Sequence, residues 1–69
     1  MTIEDLASAI RKSRRDQKLR QDQLAAAANV GVRFIIDLEA AKPTAQLGKT
    51  LAVLRALGLT LSLVGDHGR

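Results

Sequence analysis

Four stretches of this chain space their apolar residues at the three-and-four interval of an α-helix, and a fifth alternates them. Ile3, Leu6, Ala7 and Ile10 form the first stripe. Thr2 precedes it as a candidate N-cap, with Asp5 three residues on as an acidic capping-box partner. The stretch Arg11 to Arg20 is polar and basic, and it predicts the end of this helix and a turn near Asp16 to Leu19. A second helix is predicted over about Gln21 to Ala28, and a third over about Val32 to Ala40. Pro43 disfavours helix at Lys42, so a break falls there. Leu47, Leu51, Leu54 and Leu57 then give a fourth helical stripe, which Gly58 is placed to end. Leu59-Thr60-Leu61-Ser62-Leu63 changes the period to two, the mark of a half-buried strand.

Two charges interrupt the apolar stripes. Arg14 continues the core face of the first helix, and Glu39 shares the inward face of the third with Ile35 and Leu38. A lone buried charge is costly, and guanidinium with carboxylate is the best-matched pair. The two are therefore expected to form a structural ion pair that clamps the first helix onto the third.

Residues 21–40 carry the functional argument. Leu24, Ala28, Val30, Ile35 and Leu38 let two short helices bury a shared wedge, and Ala25 is small where they cross. Asn29 stands at the corner, where a left-handed backbone is needed that Gly prefers and Asn tolerates. Helices joined this way present the outer face of the second to a DNA major groove. The strand is alone, and one strand cannot satisfy its own backbone groups. Antiparallel pairing with a second copy resolves this, with Leu59, Leu61 and Leu63 as the dimer strand. The expectation is an all-α, repressor-like helix-turn-helix bundle over 1–58, a dimerising strand over 59–64 and a flexible tail over 65–69.

Composition narrows the chemistry. At 69 residues the chain is one domain near the lower size limit for an unstapled core. It has no Cys, and its single His is His67, so no metal site and no cofactor is expected. Ser8, Ser13 and Ser62 lack a neighbouring base, so no catalytic residues are assigned and no enzymatic role is expected. Met1 leads into TIEDLASAI, without the basic start or cleavage site of a signal peptide, and no apolar run approaches membrane-spanning length. A cytoplasmic protein without a membrane partner is expected. The net charge of +4 suits a polyanion.

With these residues in place, the stretch from Ile10 to Leu57 resembles the Xre family of helix-turn-helix regulators. The run KPTAQLGKTLAVLRALGLTLSL is similar to the HipB antitoxins, with a leucine-rich helix, a Gly and a short alternating strand. There are departures. Arg20-Gln21 stands where the family has Thr-Gln, Asn29 replaces the turn Gly, Gly31 replaces the Ser or Thr cap of the recognition helix, and Ala41 replaces a Gly. Arg14 and Glu39 fall where the family carries a helix-clamping pair. The resemblance implies a repressor acting as the antitoxin of a HipA/HipB-like pair, with a HipA-like kinase toxin as partner. A stand-alone Xre-type repressor or a restriction-modification controller would present the same residues.

By position, Val32, Arg33 and Asp37 match the family's base-reading sites. A guanidinium can grip guanine O6 and N7, Val32 can pack on a thymine methyl, and Asp37 can accept from cytosine N4. The alternative for Arg33 and Asp37 is an ion pair one helical turn apart on a solvated face. Lys18, Arg20, Gln21 and Lys42 are the candidate phosphate contacts, which set register without reading sequence. Phe34, the sole aromatic, is expected at the edge of the third helix. The competing class is a toxin-binding interaction module with weak DNA binding, for which Gly31, Ile36 and Asp37 make the recognition face less basic.

Overall fold

Thr2 starts the first helix with a complete capping box: its Oγ1 accepts from the Asp5 amide at 3.0 Å, and Asp5 Oδ2 accepts from the Thr2 amide at 3.1 Å. The computed structural model describes residues 1–43, 46–62 and 65. Within them the helices are α1 (Ile3–Asp16), α2 (Gln21–Ala28), α3 (Val32–Glu39) and α4 (Leu47–Leu57). Arg20 caps α2 through its backbone, its amide donating to Gln23 Oε1 at 2.8 Å. Gly31 begins α3 with no side-chain cap. Helix α2 packs on α3 and α4, and α1 packs on the same two.

Ile10, Leu24, Ile35 and Val53, one from each helix, are the largest fully buried side chains. Burying each contributes about 1.5–3 kcal/mol. Ala25 is also buried, as the crossing of α2 and α3 requires. The buried face of α4 differs from the leucine stripe. It consists of Thr50, Val53, Leu54 and Leu57, while Leu47 is 63% exposed and Leu51 half-buried. A threonine occupies the core face because its hydroxyl donates to the Gln46 carbonyl one turn back, at 3.1 Å.

All four helices end in the same way. After each, one residue takes a positive φ: Lys18 (59°), Asn29 (58°), Ala41 (60°) and Gly58 (76°). The next residue's amide reaches back five positions: Leu19 to the Arg14 carbonyl, Val30 to Ala25, Lys42 to Asp37 and Leu59 to Leu54, at 2.8–3.0 Å. This is the Schellman closure. Leu19, Val30 and Leu59 also pack half-buried against the core, sealing the helix ends with apolar contact. Lys42 is the exception at this position.

Leu59 therefore closes α4, although the alternation places it in a strand. Residues 59–62 form neither helix nor strand in the single chain, and Leu61 is 37% exposed. A strand is defined by hydrogen bonds to another backbone, which one copy does not provide. Leu63 and the end of the expected strand lie outside the described residues, as does the tail over 66–69.

Candidate nucleic-acid interface

The left-handed turn at Asn29 reverses the chain so that α3 crosses α2 with Ile35 and Leu38 inward. Its other face is left to solvent. Val32 is 43% exposed and Ile36 36%, and the Arg33 side chain is 76% exposed. Phe34 sits half-buried at the edge of the core, and Lys49 from α4 lies over its ring at 5.9 Å from the centroid.

Asp37 joins this face one turn after Arg33. Its Oδ1 lies 3.5 Å from Arg33 Nε and 3.4 Å from Lys42 Nζ. Oδ1 is itself buried from solvent and accepts no hydrogen bond among the described residues. Both contacts are thus ionic without being aligned hydrogen bonds. Arg33, Asp37, Lys42 and Lys49 line a cleft of about 400 Å³ between α3 and the start of α4.

A second polar centre fixes α3 from behind. Arg14 Nε donates to Glu39 Oε2 at 2.6 Å, and Arg14 Nη2 to Glu39 Oε1 at 2.9 Å. Hydrogen bonding to Glu39 raises the Arg14 pKa above its ordinary value, against the opposing effect of burial. Arg14 Nη1 also donates to the Leu19 carbonyl at 2.8 Å. Arg11 Nη1 caps the C-terminus of α3 at the Glu39 carbonyl, 2.9 Å away. Gln17 Nε2 does the same for α4 at the Leu57 carbonyl, also at 2.9 Å. Arg11, Gln17 and Lys49 carry no periodic signal that singles them out in the sequence.

The expected phosphate contacts are dispersed around this frame. Gln21 is half-buried at the start of α2, and its Nε2 donates to Glu39 Oε1 at 3.3 Å. Arg20 Nε contacts Asp22 Oδ1 at 3.0 Å on the surface, and this bond holds the Asp22 carboxyl below its usual range. Lys18 is exposed in the α1–α2 turn, and Lys42 is held by Asp37. Among the described residues there is no group of three metal-ligating side chains, and no helix is long and apolar enough to cross a membrane.

Two short helices joined through a left-handed corner, the second braced from behind and exposed in front, make α2 and α3 a helix-turn-helix unit. No protein-family model matches the chain. It is 52% identical over 68 residues to the uncharacterized HTH-type transcriptional regulator y4mF of Sinorhizobium fredii (strain NBRC 101917 / NGR234), covering 99% of this chain and 90% of that protein. The chain belongs to the HTH-type transcriptional regulators.

Proposed function

We propose that the chain is a cytoplasmic, homodimeric repressor that binds a palindromic operator with α3 in the major groove. The observation that carries this reading is the solvent-facing Arg33, on a helix immobilised by the Arg14–Glu39 pair. Arg33 reads guanine, with Val32 and Asp37 as the further base contacts, and Lys18, Arg20, Gln21 and Lys42 meet phosphates. The strand over 59–64 pairs about the two-fold axis. The half-exposed Leu61 and the single-copy conformation of residues 59–62 support a partner backbone there. The antitoxin role, with a HipA-like kinase as the protein partner, rests on the similarity of residues 42–63 to HipB proteins. Co-purification with the product of a neighbouring kinase-like reading frame tests it.

Fluorescence anisotropy against the protein's own promoter across a salt series tests the DNA reading. Affinity should fall linearly with the logarithm of salt, each neutralised phosphate adding about 0.9 to the slope. A flat salt response would shift the reading to a protein-interaction module, in which the exposed Val32 and Ile36 are partner contacts.

A further inference from the structure

The acids on this chain are not alike. Asp16 pairs with Lys12 and Asp22 with Arg20, each with one local cation on the open surface. Glu39 is buried behind α3. Asp37 alone among them stands on the outer side of α3, and it engages two cations at once: Arg33 at 3.5 Å and Lys42 at 3.4 Å. Lys42 is held there doubly, because its amide also donates to the Asp37 carbonyl at 3.0 Å. At the other three helix ends the residue in this position is a packed apolar side chain; here it is a lysine whose ammonium folds back onto the carboxylate.

We propose that Asp37 is a specificity filter, a carboxylate that occupies Arg33 and Lys42 in the free protein as a phosphate would. This rests on the DNA reading above and adds to it. To reach DNA, Arg33 for a base edge and Lys42 for a phosphate, both cations must leave Oδ1, and the unpaired carboxylate then faces a polyanion. On random duplex that repulsion goes uncompensated. On the cognate site the carboxylate meets a base edge with an amino donor, cytosine N4 or adenine N6, while Arg33 takes its guanine. Asp37 thus acts mainly by weakening wrong complexes.

The test compares the full-length wild type with Asp37→Asn and Asp37→Ser, binding the promoter fragment and a random duplex of equal length between 50 and 300 mM NaCl. Glu4→Gln is the control, since Glu4 is exposed on the first turn of α1 and its loss changes net charge equally. Both Asp37 variants should bind random DNA roughly tenfold tighter at low salt, with a slope steeper by about 1–2 as the two cations become free. Promoter affinity should rise by less than about threefold, so discrimination falls. If the Asp37 variants merely track Glu4→Gln, the effect is net charge and the filter is wrong. If they lose promoter affinity while random DNA is unaffected, Asp37 is an ordinary base contact and the filter is equally wrong. A wild type with no salt-dependent binding overturns the DNA reading itself, a failure visible in the wild-type curve alone.

Discussion

Arg14 grips Glu39 through two parallel hydrogen bonds, with the guanidinium side chain 11% and the carboxylate side chain 5% exposed. The same carboxylate receives Gln21, so one buried group ties α1, α2 and α3 together. Removing one member of such a pair leaves the other charge buried without a counter-ion.

Arg14→Ala should therefore cost on the order of 3 kcal/mol. In a domain of this size that lowers the thermal midpoint by well over ten degrees, at roughly 4–8 °C per kcal/mol. Thermal unfolding by circular dichroism measures it directly. An unmoved midpoint would mean that Glu39 is solvated in solution and that α3 is held by apolar contact alone.

The four Schellman closures predict changes in the opposite direction. Ala41 and Lys18 hold left-handed backbones with a Cβ, at an expense of about 1–2 kcal/mol each. Glycine relieves that strain but adds about 0.5–1 kcal/mol of unfolded-chain entropy. Ala41→Gly should thus stabilise the fold by several tenths to about 1 kcal/mol, read from a urea midpoint at constant m. Destabilisation would show that the Ala41 methyl group makes a compensating contact.

These helix ends also show what the sequence makes legible. Asn29 and Gly58 are residue types that favour a positive φ. Lys18 and Ala41 are not: a turn is expected near Asp16 to Leu19 and Ala41 stands where the family has Gly, but the left-handed backbone at these two residues is not legible from residue type. The first three helices follow from their apolar stripes, and Arg14 and Glu39 stand out as charges on those stripes. The α4 stripe misleads, because leucine is taken as core wherever the spacing permits. Thr50 and Val53 are buried, while Leu47 at the start of the helix is exposed at the rim of a groove with Ile3, Leu6 and Leu38. The i,i+4 spacing of Arg33 and Asp37 is readable too. Lys42 at the same carboxylate is not, since it arrives only through the left-handed turn at Ala41. The Gln21–Glu39 bond crosses between helices and leaves no local trace.

Leu61 tests assembly. It is a solvent-facing leucine in the single copy, within a segment whose backbone lacks a pairing partner strand among the described residues. Leu61→Lys should convert dimer to monomer or aggregate in light scattering coupled to size exclusion, with helical content retained in the monomer. An intact dimer for this variant would move the interface elsewhere, with the apolar groove of Ile3, Leu6, Leu38 and Leu47 the next surface to probe.

The remaining prediction separates reading from gripping. A two-fold dimer can place both α3 helices in major grooves only about one DNA turn apart, roughly 34 Å, so the operator should be an inverted repeat at that spacing. Arg33→Ala should cost about 1–3 kcal/mol on the cognate site and relax discrimination at one base pair per half-site. Gln21→Ala should instead weaken cognate and random DNA by a similar factor, because a phosphate carries no sequence information. Gln21 is oriented by Glu39, so Glu39→Gln should reproduce part of that uniform loss even if the fold survives. If Arg33→Ala weakens all DNA equally, Arg33 is a phosphate contact and Val32 or Asp37 must carry specificity. If it changes neither, the outward face of α3 is not the DNA surface. Its exposed Val32 and Ile36 then belong to a protein partner.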